Sequence, residues 1–406
     1  MANGGAQERL DPRIRLVVGG SFLTVAVRMG LVSFLSVYFV REAGIALTTV
    51  GIAFLVENLA RGALAPWVGA LSDRFGRRPV IIIGMFMNAA VLPCFLLVQG
   101  PASLMLWSLV MGIVGTTQWT IATALVLDLA PASRRQYALA IHYTLVNLGY
   151  SLGIIPGGFL AEKGYGVLAA ITSAGYFTVG LLYWAILRGP LPQERMAQGT
   201  SPMLAALGVL SDRVFLGFAA CGFVFPLSIG LFSFVSAIHG ADRGLTESFV
   251  GMVLGANGII VALLTVPVAK RIEGAGPYRL LGPAALLLAG SYVCYALIGD
   301  AATSLVAGML MFTLADLIFG AAAPTAISHL APAGLRGTYQ GAWSMVGSVV
   351  IGSSLYVSGL LKGMYSWSAA WLVFAAVTAA AGIGLIAARE IFRSASIARG
   401  ATTSAS

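Results

Sequence analysis

Long apolar runs joined by short polar segments make up nearly the whole chain. Twelve of these runs are about 20 residues long, the length that crosses a bilayer as an α-helix. No series of ten-residue segments with alternating polarity appears. The pattern therefore predicts an all-α polytopic membrane protein. The predicted spans are Ile14–Val40, Thr48–Leu71, Pro79–Val98, Ser103–Leu127, Gln136–Leu160, Val167–Leu187, Val214–Ile238, Ser248–Val268, Tyr278–Ile298, Thr303–Ser328, Thr338–Leu361 and Ser368–Ala388.

One longer polar segment divides the twelve spans into two groups of six. Residues Arg188–Arg213 are rich in proline, glycine and polar side chains, as linkers between domains commonly are. This break predicts an N-terminal six-helix bundle over residues 1–187, a cytoplasmic linker over 188–213, a C-terminal six-helix bundle over 214–390 and a cytoplasmic tail over 391–406.

A weak internal repeat supports that division. The segment Leu129–Tyr137 recurs as Leu330–Tyr339, with Leu-Ala-Pro-Ala and a later arginine in common, at an offset of 201 residues. Val50-Gly51 recurs as Val250-Gly251 at an offset of 200 residues. Two separate matches at nearly the same offset predict two pseudo-symmetric six-helix bundles, a duplication that many transporters share.

Composition and charge place the chain in a membrane. It is 58% hydrophobic and only 10% charged, whereas soluble domains carry about 25% charged residues. The net charge of +9 comes mainly from arginine and lysine in segments predicted to be cytoplasmic, as the positive-inside rule requires. We therefore expect a multi-pass protein of the cytoplasmic (inner) membrane with both termini in the cytoplasm, and no nucleic-acid partner. The first residues lack the apolar core of a cleavable signal peptide.

The stretch Gly69–Pro79 joins the second and third spans and carries four charges, Asp73, Arg74, Arg77 and Arg78. So many charges predict a short cytoplasmic loop between two helices. The pattern Gly-x-Leu-x-Asp-Arg-x-Gly-Arg-Arg resembles the loop between helices two and three of the major facilitator superfamily. Every position of that pattern is filled, by Gly69, Leu71, Asp73, Arg74, Gly76, Arg77 and Arg78.

The resemblance implies the major facilitator fold and a cytoplasmic gate. In that family an acid at the end of the fourth span, here Asp128, pairs with the arginine-rich loop and locks the outward-open state. The matching partners are Asp73, Arg74 and Arg77. The alternative is that these arginines only orient the helices in the membrane.

The fifth span resembles the glycine–proline motif of the drug:proton antiporter branch, in which such a motif would form a hinge. Its proline stands two positions later than in that motif, and close helix packing explains the same glycines equally well. Two other family features are missing, because Ser108 stands where a buried arginine is usual and the first span has no carboxyl group. The residues of this candidate hinge are Gly149, Gly153, Pro156, Gly157 and Gly158.

Four charges lie deep inside the predicted spans, away from their ends: Arg28, Glu57, Arg61 and Asp316. Charges inside a membrane are costly and are functional candidates by default. All four lie roughly 14 to 20 Å from the outer ends of their spans, near the middle of the bilayer. This common depth predicts a central cavity between the two bundles.

Two of these charges predict a proton-sensitive pair. Glu57 and Arg61 share a helix face at i,i+4 spacing. Glu57 is therefore a candidate proton switch, and Arg28 and Arg61 either stabilise its charge or receive a negative part of the substrate. The alternative is a buried ion pair that only fixes the first two helices together. Asp316 is either a second protonation site or a partner in a helix–helix hydrogen bond.

Further polar and aromatic residues inside the spans are candidates for the cavity wall, because they are costly when they face lipid. Each is equally consistent with a hydrogen bond between helices. These candidates are Asn58, Gln118, Trp119, His142, Asn147, Asn257 and Trp343.

Together these features predict a secondary transporter that is not an enzyme. We expect alternating access and proton-coupled efflux of small amphiphilic or organic compounds, as the resemblance to drug:proton antiporters implies. One alternative is uptake or exchange of an organic anion that binds Arg28 and Arg61; others are an intramembrane lipid-handling enzyme and a sensor that transports nothing. We expect a monomer whose partners are a small-molecule substrate, protons and the lipid bilayer. No cofactor and no metal are expected, because the sequence has no nucleotide-binding loop and no metal-ligand spacing.

Overall fold

A computed structural model describes residues 11–131, 134–187, 208–209, 211–272, 276–332 and 335–401. Within these ranges, twelve helices are long and apolar enough to cross a membrane, which confirms the predicted number. We number them in chain order, and a shorter helix, α13, follows them. The bounds are α1 Pro12–Glu42, α2 Leu47–Phe75, α3 Arg77–Leu97, α4 Pro101–Leu129, α5 Arg135–Glu162, α6 Tyr165–Ile186, α7 Arg213–Asp242, α8 Glu247–Ile272, α9 Pro277–Leu297, α10 Ala301–Leu330, α11 Arg336–Met364, α12 Trp367–Ala387 and α13 Arg389–Ala401.

Three of the helices depart locally from α geometry. The last turn of α1, Tyr38–Glu42, is π-helical, and α3 tightens into a 3₁₀ turn over Leu92–Leu97, where Pro93 contributes no N–H donor. In α7, residues Leu231–Val235 are π-helical. Such π turns often occur at functional sites, and α7 lies beside the central cleft described below.

The arginine-rich stretch between α2 and α3 is not the loop that the sequence predicted. The chain stays helical through Phe75 and starts α3 at Arg77, so Gly76 is the only residue between the helices. Gly76 has φ of 95°, a conformation that side chains with a Cβ rarely adopt. The predicted hairpin is therefore confirmed, but its loop is a single glycine, because no residue before Gly76 interrupts the helix.

The segments around the second bundle differ partly from the prediction. Most of the predicted linker, 188–213, lies outside the described residues, and the domain boundaries remain predictions. The predicted tail, 391–406, begins as part of α13, whose Phe392 is buried against Phe218 and Tyr278. The amphipathic sequence of α13 thus packs against the second bundle.

An ion pair fixes α13 to the start of α7. Asp212 caps α7 and accepts hydrogen bonds from Arg399 Nη2 at 3.1 Å and from the hydroxyl of Tyr339. Burial raises the pKa of the Asp212 carboxyl, but the hydrogen bonds from Arg399, Tyr339 and the backbone of α7 outweigh it and lower the pKa to about 2. Asp212 is therefore ionised at any physiological pH.

The twelve helices form the two bundles that the repeat predicted. In the first bundle α1 packs against α5, α2 against α4 and α3 against α6, and in the second bundle α9 packs against both α10 and α12. The most extensive contacts between the bundles lie along two helix pairs, α2 with α11 and α5 with α8. These two contacts are equivalent under the pseudo-symmetry, because α8 repeats α2 and α11 repeats α5.

We name the two ends of the molecule by their composition. The arginine-rich end holds the α2–α3 turn and the α4–α5 connection, and the opposite end holds the α1–α2 and α11–α12 connections. At the opposite end the bundles are in close contact, since a Cβ on Gly51 of α2 would overlap the backbone of Tyr356 of α11. A Cβ on Gly158 of α5 would likewise overlap the backbone of Glu247 of α8.

Toward the arginine-rich end the bundles separate. Gly62 and Gly69 follow Gly51 by 11 and 18 residues, so all three lie within about 20° of one face of α2. A Cβ on Gly62 or Gly69 would meet nothing within 4 Å, and the same holds for Gly341 on α11. A cleft therefore runs between the bundles, open at the arginine-rich end and closed at the opposite end.

Candidate functional site

Three of the four charges within the membrane-spanning helices meet at the inner end of the cleft. Glu57 Oε1 accepts a hydrogen bond from Arg28 Nη2 at 2.7 Å, and the same oxygen pairs with Arg61 Nη2. Arg28 and Glu57 are each only 6% exposed. One carboxylate between two guanidinium groups leaves the triad with a net charge of +1. This arrangement agrees with the sequence, in which the i,i+4 spacing pairs Glu57 with Arg61 and Arg28 lies at a similar depth in the membrane.

Arg61 is the member of the triad that reaches the cleft. It lies one helical turn beyond Glu57 toward the arginine-rich end, and its side chain is 36% exposed against 7% for Glu57. Gly115 of α4 makes room for both arginines, because a Cβ there would lie 3.4 Å from Arg61 Nη2 and 3.6 Å from Arg28 Nη1. Sequence inspection did not identify Gly115, which became recognisable only from this close approach.

The guanidinium groups keep unused hydrogen-bond donors. Arg28 Nη1 and Arg61 Nε are buried and have no hydrogen-bond partner among the described residues. Unpaired buried donors are costly, and two of them on neighbouring arginines indicate a site with spare capacity for an acceptor. The triad thus offers more donors than Glu57 alone can satisfy.

A hydrogen-bonded chain lies beside the triad within the first bundle. Gln118 Nε2 donates to Thr24 Oγ1 at 2.5 Å, and the Tyr176 hydroxyl donates to Gln118 Oε1 at 2.6 Å. His142 is buried, hydrogen-bonded to the Ser21 hydroxyl at 3.1 Å, and stacked on Trp119. The structure therefore places Gln118, His142 and Trp119 near one another. The sequence interpretation missed Thr24, although it precedes Arg28 by one helical turn.

Asp316 lies on α10 in the second bundle, away from the triad. It is partly exposed and makes no hydrogen bond or ion pair with any other described residue. The aromatic residues one turn on either side of it, Phe312 and Phe319, stack on Phe232 and Phe225 of α7. Asp316 is thus a carboxyl group held in aromatic surroundings without a counter-ion.

One tyrosine links the two bundles near Asp316. The hydroxyl of Tyr150 on α5 hydrogen-bonds to Ser233 on α7. Asp316 lies within electrostatic range of that hydroxyl. The carboxyl group is therefore close to the surface where the two bundles meet, beside the cleft.

Four other predicted cavity residues are engaged elsewhere. Asn58 and Asn147 donate to carbonyl groups of their own helices, at 2.9 and 3.0 Å. Asn257 donates to Thr313 at 2.9 Å within the second bundle, and Trp343 packs on Phe218. None of these four residues is paired with the triad. Asn257 makes the hydrogen bond between helices that was the alternative interpretation. A role of the four residues in the cavity wall remains a prediction.

The predicted gate residues form a network inside the first bundle. Arg77 Nη1 pairs with Asp73 at 2.7 Å, and Arg77 Nε donates to Asp128 at 3.0 Å. Arg78 donates to the carbonyl of Trp184, and Arg74 lies over the ring of Phe75. These described contacts exist while the arginine-rich end is open, so in this conformation they join helices of one bundle and not the two bundles. The gating role remains a prediction.

The glycines of α5 lie at close helix contacts. A Cβ on Gly149, Gly153 or Gly157 would overlap the backbone of α1, and one on Gly158 would overlap the backbone of α8. The helix runs without interruption through Pro156, from Arg135 to Glu162. This packing is the alternative explanation that the sequence left open, and a hinge at Pro156 remains a prediction.

A second charged cluster, missed at the sequence level, joins the bundles at the opposite end. Arg41 of α1 pairs with Asp242 of α7 at 3.9 Å and donates to the carbonyl of Ala241. Asp242 also pairs with Lys362 and accepts from Trp367 Nε1 at 2.9 Å. We call Arg41, Asp242, Lys362 and Trp367 the interbundle clasp.

Known proteins resemble this chain over most of its length. A family model of the Major Facilitator Superfamily matches residues 17–355. The multidrug resistance protein MdtH of Aeromonas salmonicida is 27% identical over 358 residues, which are 85% of this chain and 84% of that protein. The Na(+), Li(+), K(+)/H(+) antiporter of Planococcus maritimus is 25% identical over 366 residues, 82% of this chain and 85% of that protein.

A solved structure shares the fold. The nucleoside transporter NupG superposes with a TM-score of 0.78 at 16% sequence identity, over 93% of this chain and 99% of that chain. The likeness concerns the arrangement of helices, and the family match covers most of the sequence. The chain is a membrane transporter and not an enzyme, and it belongs to the Major Facilitator Superfamily.

Proposed function

We propose that the protein is a proton-coupled secondary transporter that exports small amphiphilic or organic compounds across the cytoplasmic membrane by alternating access. The excess of arginine at one end supports a cytoplasmic location for that end and for both termini. The described conformation is then open to the inside and closed to the outside, ready to receive a compound from the cytoplasm.

The proposal rests mainly on the position and surroundings of Asp316. A carboxylate inside a membrane-spanning helix is costly unless it is neutralised, and Asp316 has no cation beside it among the described residues. A proton or a cationic group of the substrate neutralises it equally well. Because only one of them binds at a time, their competition produces exchange. Two relatives, one named a multidrug resistance protein and one a cation/H(+) antiporter, support this type of transport.

Glu57 receives a different role. Its charge is already balanced by Arg28 and Arg61, so we assign proton coupling to Asp316 and the ordering of the two guanidinium groups to Glu57. The earlier hypothesis of a proton switch at Glu57 predicts coupling that disappears in Glu57→Gln. The present assignment predicts coupling that disappears in Asp316→Asn.

Proton release from liposomes tests the proposal. Purified protein is reconstituted with a pH gradient, and the aromatic cation ethidium is added while a pH-sensitive dye reports proton movement. K(+) and Na(+) are added separately as inorganic cations outside the proposed class of substrate. We expect proton release with ethidium and its loss in Asp316→Asn. Asp300→Asn is the matched control, because Asp300 is an exposed cap of the same helix and asparagine also caps helices. Full coupling in Asp316→Asn would refute the assignment.

A second candidate is uptake or exchange of an organic anion. It is favoured by the net positive charge of the triad and by the exposure of Arg61 to the cleft. Counterflow of a labelled aromatic carboxylate without a pH gradient distinguishes it, because exchange of anions needs no proton and persists in Asp316→Asn.

A further inference from the structure

The two bundles present opposite charges to the same cleft. The triad on the first bundle carries +1, and Asp316 on the second bundle carries −1 when ionised. Arg61 lies roughly 21 Å along α2 from the opposite end, and Asp316 lies roughly 22 Å along α10 from that end. The two charges are therefore at about the same depth, one on each bundle.

Arg61 and Asp316 do not form an ion pair with each other. The described ion pairs of Arg61 are with Glu57 alone, through Nη2, and Asp316 has none. Both side chains are partly exposed. The guanidinium of Arg61 thus keeps donors for a second acceptor, and the carboxyl of Asp316 keeps both oxygens for a donor.

We infer, building on the proposed function, that the transported compounds are amphoteric: each carries a carboxylate that binds Arg61 and an ammonium group that binds Asp316. Guanidinium binds carboxylates with two parallel hydrogen bonds, which are stronger than neutral ones. The ammonium group competes with the proton for Asp316, so the same contact gives both recognition and exchange.

Charge balance makes the two simpler classes of compound weaker ligands than an amphoteric one. A compound with one positive charge neutralises Asp316 but meets the +1 of the triad. A compound with one negative charge neutralises the triad but meets the carboxylate of Asp316. In a site of low dielectric constant each mismatch is costly, whereas an amphoteric compound leaves no net charge in the cleft. Such a compound also contacts both bundles and therefore favours closure of the arginine-rich end.

Matched sets of three compounds test the inference. Tryptophan, tryptamine and indole-3-propionate share one aromatic body and differ only in charged groups; phenylalanine, phenethylamine and 3-phenylpropionate form a second set. Binding to the purified protein is measured by calorimetry at pH 7.5. We expect the amphoteric member of at least one set to bind about tenfold tighter than either partner, a difference of about 1.4 kcal/mol.

Two variants separate the two contacts. Arg61→Gln removes the partner of the carboxylate and the net charge of the triad, so tryptamine binds more tightly than it does to the unmodified protein, and tryptophan binds no better than tryptamine. Asp316→Asn removes the preference for the ammonium group, so tryptophan binds no better than indole-3-propionate. Arg279→Gln and Asp300→Asn are the controls, because both residues are exposed at the ends of helices and lie away from the cleft.

The inference is overturned if a singly charged member binds as tightly as the amphoteric one in both sets, or if neither amphoteric compound binds. The proposed function is tested separately by proton release. Proton release with a simple cation, together with no preference for amphoteric compounds, refutes the substrate class and keeps the antiport. Preferential amphoteric binding that moves no proton refutes the antiport and keeps the substrate class.

Discussion

The glycine contact between α2 and α11 predicts a substitution that changes the balance of conformations. In Gly51→Ala the added methyl group overlaps the backbone of Tyr356, but only while the opposite end is closed. Such overpacking costs about 1–3 kcal/mol. The gain in helix propensity from alanine is the same in both conformations and cancels. The described conformation should therefore lose population by a factor of about 5 to 150 relative to one that is open at the opposite end.

Two other glycines provide the controls. Gly62 lies on the same face of α2 but in the open part of the cleft, so Gly62→Ala costs nothing in the described conformation. It crowds the cleft when the arginine-rich end closes, and its shift should have the opposite sign. Gly363 is exposed near the end of α11 with nothing within 4 Å of a Cβ, so Gly363→Ala should shift neither population.

Distances between spin labels measure the populations. Labels at Phe75 and Leu335, both exposed at the arginine-rich end and on different bundles, report the width of the cleft after the three native cysteines are replaced. Gly51→Ala should move the distance distribution toward shorter values, and Gly62→Ala should not. An unchanged distribution in Gly51→Ala, or the same change in Gly363→Ala, would refute the role of this contact.

Three further predictions concern other parts of the molecule. Asp242→Asn should weaken the interbundle clasp by about 1 kcal/mol and shorten the same label distances, though less than Gly51→Ala does. Gly115→Val should crowd both guanidinium groups, cost about 1–3 kcal/mol of unfolding free energy, and lower the melting temperature. Because the pKa of Asp212 is about 2, its ion pair with Arg399 is complete above the ordinary value near 3.8 and is lost only as pH falls through 2. Proteolysis of α13 should therefore be equal at pH 7 and pH 4 and faster in Arg399→Gln.

The sequence predicted those features that depend on a single helix or on its length. The twelve spans follow from apolar runs, and the pairing of Glu57 with Arg61 follows from their spacing of four residues. The common depth of the charges placed Arg28 beside them, because depth in a membrane is nearly a linear function of sequence position. Asp316 was predicted to be either a second protonation site or a partner in a hydrogen bond between helices, and the structure gives it no hydrogen-bond partner among the described residues.

Features that depend on how helices pack could not be predicted. Thr24, Gln118 and Tyr176 come from α1, α4 and α6, and no pattern within one helix relates them. The interbundle clasp joins Arg41 to Asp242, some 200 positions apart, through the closed end of one conformation. The prediction of a charged loop around Gly76 was wrong because the rule for loops concerns water exposure, and an exposed charged segment is equally able to be helical.

One glycine of the sequence motif makes no packing contact in the described conformation. Gly69, the first residue of the pattern that resembles the superfamily, meets nothing within 4 Å of a Cβ. It lies on the face of α2 that carries Gly51, and Gly341 of α11 lies on the face that carries Gly352, which contacts α2. Each of these helices therefore has small residues at both ends of one face, although only the end away from the arginines is packed. If α2 and α11 packed together only at the end away from the arginines, small residues would be needed only at that end. The glycines at the arginine-rich end are therefore best explained by a second conformation in which α2 and α11 meet there.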